Sequence, residues 1–232
     1  MGGAVDNPAT GPDSPDMEPW MMAALPAAGL ALFVAIVLVT KRNDRARTEA
    51  LADWAPRNGW SVGDPSSLQG TLQVPLVRSH RRGRCRNLLT RTHDSGEQML
   101  FDYDYTRSSG NHSRHVRQTA FARRAREPIP AFELRPENVG HRIASMFGFA
   151  DIDFEHRPDF SRRYLLRGKN EGEIRRLFGV EQFRFFEKEG HWTVESDGEW
   201  LIVYQFARRR GVEELRPFLG EGENIAALFL GG

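Results

Sequence analysis

The chain has 232 residues, of which 40% are apolar and 10% aromatic, enough for one sizeable core or two small ones. Charged residues make up 27% and the formal net charge is +1, so the composition is that of an ordinary globular chain rather than a strongly basic or acidic one. Cys85 is the single cysteine, which excludes an intrachain disulfide.

Residues 1–18 are rich in Gly, Pro, Asp and Ser and read as a short disordered tail. Residues 19–40, "PWMMAALPAAGLALFVAIVLVT", carry no charge. That is about 22 residues, long enough for a hydrocarbon core of about 30 Å, with Trp20 at one end where an interfacial aromatic belongs. Asp6, Asp13, Asp16 and Glu18 precede the run, and Lys41, Arg42, Arg45 and Arg47 follow it. Positive charge stays on the cytoplasmic side, so these flanks predict one transmembrane helix in a bacterial plasma membrane, N-terminus outside and C-terminal domain in the cytoplasm. The acidic leader argues against a cleaved signal peptide.

A juxtamembrane helix is expected over 41–59, with Asn43 as cap, Ala50, Leu51 and Trp54 on one face and Gly59 as stop. The remaining domain, 60–232, alternates strand-like and helical stretches. "LQGTLQVPLVRS", "GRCRNLLTR", "MLFDYDYT", "HVRQTAFARR", "AFELRPE" and "RRYLLRG" read as strands. "ENVGHRIASMFG" reads as a helix with Val139, Ile143, Met146 and Phe147 on one face. "NEGEIRRLF" is a helix with Asn170 as cap and Glu173 three residues on, and "EQFRFFEKEG" continues helically. "HWTVESDGEWLIVYQFARR" is a hairpin whose Asp197-Gly198 predicts a two-residue turn, setting Val194 opposite Leu201. A last amphipathic segment carries Leu215, Phe218, Leu219, Ile225 and Phe229. The order predicts an α+β fold with a largely antiparallel sheet and packed helices behind the transmembrane helix.

Paired carboxylates suggest acid–base or metal chemistry, and Asp102 and Asp104 lie on one face of a strand, with His112 and His115 nearby. A hairpin explains them more simply. A turn centred between Gly110 and Asn111 sets Asp104 opposite Arg117 and Asp102 opposite Thr119, with Phe101, Tyr103 and Tyr105 on the other face. Zinc sites need three or four ligands at recurring spacings, and neither a cysteine pair nor H-E-x-x-H is present, so no metal site is expected. No phosphate-binding, dinucleotide or nucleophile-elbow motif occurs, and no cofactor is expected. In "DIDFEHRPDF", Phe154 and Phe160 read as packing residues of a structured loop rather than part of a calcium site.

Charge is unevenly spread. Between residues 78 and 126 there are twelve arginines and four acids, and from 127 onward 15 basic and 19 acidic residues. Arg78, Arg81, Arg82, Arg84, Arg123, Arg124 and Arg126 are the candidate contacts for anionic lipid or another anion. A nucleic-acid face would place aromatics beside the arginines, and the hairpin sets them on opposite faces.

"ADWAPRNGW", "LFDYDYT" with "RQTAF", "FELRPE", "HRPDFSRRYLLRG" and "HWTVESDGEWLIVY" together resemble a group of uncharacterised bacterial, actinobacterial-like single-pass membrane proteins with a cytoplasmic domain of unknown function. The resemblance implies this architecture and carries no catalytic residues. The expected function is a non-enzymatic binding or scaffold domain at the inner membrane face. The alternatives are a membrane-tethered enzyme or metal-dependent hydrolase built on Asp102, Asp104, His112 and His115, and an anionic-lipid-binding domain. The sequence sets neither the partner, whether lipid or protein, nor the oligomeric state.

Overall fold

The computed structural model describes residues 19–80, 82–109, 112–137 and 151–231, except for the side chains of 19–29, 31, 109 and 112. The tail expected over 1–18, the turn expected at 110–111 and the helix expected over 137–148 therefore fall wholly or almost wholly outside the described residues. The chain divides into two compact units, Met1–Arg47 and Thr48–Gly232.

One continuous helix, α1 (Pro19–Arg57), replaces the two expected over 19–40 and 41–59. It carries Pro56 in its last turn and stops at Gly59, whose φ of 74° is the left-handed conformation of a helix terminator. The membrane span is not borne out: no helix among the described residues is long and apolar enough to cross a membrane. The single-pass membrane topology, with the N-terminus outside and the domain at the cytoplasmic face of a plasma membrane, rested on that span and is withdrawn with it.

The second unit is built on an eight-stranded sheet in the order β1-β2-β3-β4-β8-β7-β5-β6. The strands are β1 (Ser61–Val62), β2 (Arg84–His93), β3 (Gly96–Ser109), β4 (His112–Arg124), β5 (Phe132–Pro136), β6 (Tyr164–Gly168), β7 (Thr193–Ser196) and β8 (Trp200–Tyr204). All the pairings are antiparallel, as the strand alternation predicts. Asp104 pairs with Arg117, Asp102 with Thr119, Tyr105 with Val116 and Phe101 with Ala120, the register derived from side-chain parity. The β7–β8 hairpin departs from expectation by two residues: Val194 faces Val203, not Leu201. The cause is Asp197, whose Oδ1 accepts the Glu199 and Trp200 N–H groups and so lengthens the loop. A shift of two keeps every side chain on its expected face.

Both faces of the central strands are covered. On one face, Phe101, Tyr103, Tyr105, Trp200, Ile202 and Tyr204 pack under Leu68, Leu72, Val74, Leu76 and Val77. Those covering residues were expected to form a strand. They form two short helical turns instead, α2 (Leu68–Thr71) and α3 (Pro75–Arg78). Pro75 at the first helical position fixes φ for a turn, and the intervening Gln73 N–H donates to Asp197 Oδ2 across the molecule.

On the other face, Leu89, Leu100, Phe121, Leu201 and Val203 meet Leu51 and Ala55 of α1 and the helices α4 (Pro158–Arg163), α5 (Glu171–Leu177), α6 (Val180–Lys188) and α7 (Leu215–Leu230). Phe154 and Phe160 are buried there, as expected, in an aromatic cluster with Phe178 and Phe183. Asn170 caps α5 by accepting the Glu173 N–H. α7 lies close against β4: a Cβ on Gly222 would stand 2.8 Å from Phe121 Cδ1, whereas one on Gly220 would meet nothing.

These two glycines make a test of that contact. Gly222→Ala should lower the unfolding free energy by about 1–3 kcal/mol through overpacking. Gly220→Ala should raise it by about 0.5–1 kcal/mol through helix propensity. Denaturant titration of the two variants side by side checks both signs.

Candidate functional site

The two aspartates of the β3–β4 hairpin are not on an outer face. Asp102 is 1% exposed and Asp104 2%. Asp102 sits in a directed chain of hydrogen bonds. Asn87 Nδ2 donates to its Oδ2 (2.9 Å) and Thr119 Oγ1 to its Oδ1 (2.8 Å). Asn87 Oδ1 in turn accepts from Thr48 Oγ1 (2.8 Å), and Thr119 Oγ1 accepts the Arg210 N–H (3.0 Å). The carboxylate thus ties the last turns of α1, three strands and the segment before α7 into one joint.

Asp104, one strand repeat along, is surrounded by basic side chains. Arg86 Nε lies 3.2 Å from its Oδ2, and His115 Nε2 and Arg117 Nε each 3.7 Å. Arg86 reaches it because the β2–β3 register slips between Cys85 and Asn87, a bulge that re-aims the extra side chain. Both carboxylates are engaged in tying segments together. Among the described residues, no group of three or more His, Cys, Asp or Glu side chains is placed to hold a metal ion. The side chain of His112 lies outside the described set.

A second polar cluster lies on the opposite face, and sequence reasoning missed it. The β5–β7 register sets Glu133 directly against Glu195. Arg135 follows one repeat along β5, its Nε 3.7 Å from Glu133 Oε1. Glu195 Oε1 accepts the Tyr204 hydroxyl (2.6 Å), and its Oε2 accepts the Leu76 N–H (2.7 Å), which fastens α3 to the sheet. Burial, reinforced by the Glu133 charge, pushes the Glu195 carboxyl up to about 8, and burial raises Glu133 against the pull of Arg135. Arg135 Nη1 and Thr193 Oγ1 are buried without a hydrogen-bond partner among the described residues. They border a cavity of about 10 Å³ lined also by Leu76, His80 and Phe206. That is room for roughly one water, far below the 300 Å³ or more of a small-molecule site. The cluster can hold a proton and a water but not a substrate. The sequence signal was the β8 run "WLIVY", apolar on both faces, which implies that the neighbouring Glu195 is covered too.

The candidate anion-contact arginines separate into two groups. Arg78, Arg82 and Arg84 are exposed near the Asp104 end of the sheet, and Arg81 lies outside the described residues. Arg123, Arg124 and Arg126 stand at the other end, six or more residues along β4 from Arg117, about 20 Å away. Arg123 is buried and donates to the Ser95 and Gly231 carbonyls. Arg124 pairs with Glu97 and Glu199, and Arg126 donates to the Asp94 carbonyl. Cys85 is half-buried, and burial, with the Asp102 charge behind it, pushes its thiol up to about 12, so it stays protonated and unreactive.

Two substitutions test the roles of the buried carboxyls. Asp102→Asn sets an amide N–H against a donor and should lower unfolding free energy by about 1–3 kcal/mol, read by denaturant titration. Glu195 binds its proton more tightly folded than unfolded. Its contribution is therefore full below about pH 4.5 and is lost as pH rises through about 8. Glu195→Gln keeps the Leu76 N–H bond at its amide oxygen, turns its amide N–H to donate to the Tyr204 hydroxyl, and cannot ionise. Its melting temperature should fall less than that of the parent chain between pH 5 and 9, and parallel profiles would refute the assignment.

The fold is similar to that in the crystal structure of the mycobacterial trehalose monomycolate transport factor A, TtfA, with a TM-score of 0.56 and 13% identity over 80% of this chain and 93% of that one. No protein-family model matches the sequence, and no curated protein matches it. The likeness to a mycobacterial protein agrees with the actinobacterial character of the sequence resemblance and, at this identity, is one of fold.

Proposed function

We propose that this chain is a non-enzymatic factor associated with lipid transport, whose sheet domain acts by binding rather than by turnover. The observation that carries the reading is the fold shared with a trehalose monomycolate transport factor across 93% of that chain. The state of the polar groups supports the binding half of the reading. Asp102 and Asp104 are spent on joining segments, and the Glu133–Glu195 cluster has room for only about one water. A factor of this kind needs a surface, not a reaction pocket.

Depletion of the protein in its own host, followed by mass-spectrometric measurement of envelope lipids, tests the reading. Precursor lipids should accumulate and their exported products fall, with recovery on re-expression. Unchanged precursor and product pools in fully depleted cells would refute the transport role.

A further inference from the structure

The β3–β4 hairpin outruns its neighbours. β8 pairs with β4 only over residues 120–124, and β2 reaches no further along β3 than Asp104. The chain from α3 into β2 folds over this same end. The Tyr103 hydroxyl donates to the Val77 carbonyl, the His80 ring lies 3.6 Å from that of Tyr105, and the Gly83 backbone lies so close to Tyr103 that no Cβ fits. The result is a gathering of arginines that are remote from one another in sequence. Arg78, Arg82, Arg84, Arg86 and Arg114 are exposed and Arg107 partly so. The acid that the sheet register places among them is Asp104, buried at the base and already shared by Arg86, His115 and Arg117. The other end of the sheet is the contrast, because there Arg123, Arg124 and Arg126 are met by Glu223, Glu97, Glu199 and a carbonyl.

We infer that the hairpin end is a docking surface for the anionic headgroups of a lipid bilayer. The arginines come from both faces of the sheet, six of them against the buried Asp104 and the exposed Asp64 near Cys85. That suits a diffuse anionic plane, where each cation near the surface strengthens binding about fivefold. The choice of lipid over an acidic protein rests on the lipid-transport reading. The docked orientation sets the exposed arginines of this end against the headgroups and the Arg123–Arg126 end away from them.

The full chain carrying Cys85→Ser and Ser113→Cys, labelled at the new thiol with a polarity-sensitive fluorophore, reports on the tip alone. Vesicles of phosphatidylcholine with about a third phosphatidylglycerol should shift the emission, and high salt should reverse the shift. Pure phosphatidylcholine vesicles should leave it unchanged. Arg82→Glu, Arg84→Glu and Arg114→Glu combined should raise the lipid concentration needed for half the shift by more than about a hundredfold. Arg124→Glu with Arg126→Glu, the same kind of charge change at the opposite end, should alter it less than about threefold. No shift with anionic vesicles, an equal shift with neutral ones, or equal losses in the two variants would overturn the proposal. A tip that fails this test while depletion still perturbs envelope lipids would sink the docking surface and leave the transport role standing. Unperturbed lipids would sink the transport role whatever the tip does.

Discussion

Burial of the central strands on both faces is the constraint from which the rest follows. β3, β4 and β8 carry aromatic and aliphatic side chains toward both sides, so neither side can be left to water. One face is closed by α2, α3 and their flanking residues, the other by the end of α1 and the helices from α4 to α7. Short elements suffice because each covering side chain removes about 1.5–3 kcal/mol worth of apolar surface from water. Any polar group on these strands must then be satisfied in place.

Three carboxyls show three solutions to that problem. Asp102 accepts hydrogen bonds from Asn87 and Thr119. Asp104 is met by the guanidinium groups of Arg86 and Arg117 and the ring of His115. Glu195 is buried and faces another carboxyl, which outweighs the pull of Arg135, so it is held toward its protonated form. The same strand geometry thus produces a structural joint, a cation hub and a proton-holding latch on α3.

Features governed by local repetition were readable from the residues. The alternation of Asp with Phe and Tyr in "FDYDYT" sets the β3–β4 register, because only one parity pairs aspartate with polar partners. Asn170 with Glu173 marks the start of α5 for an equally local reason. Misreadings arose where a distant residue intervened. "LQGTLQVPLVRS" has strand composition, yet it caps a sheet face, with Gln73 held by Asp197 and Leu76 by Glu195. Asp197 also shifted the β7–β8 register by bonding within its own loop. The uncharged run over 19–40 was read as a span from length and composition, and the described helix does not sustain the apolar length a bilayer requires.

The sequence by itself determined which side chains share a face, where helices begin, and that arginine is concentrated in one half of the chain. A period of two residues per strand and a fixed cap spacing are properties of neighbours, so neighbours suffice to reveal them. Only the tertiary structure decided what covers each face. That choice makes Asp102 a joint instead of a surface ion pair and sets Glu195 against Glu133. It also neutralises one cluster of arginines with acids from other segments while leaving the other cluster on the surface. Desolvation and charge pairing depend on segments far away in the chain, and no local pattern records which of them will arrive.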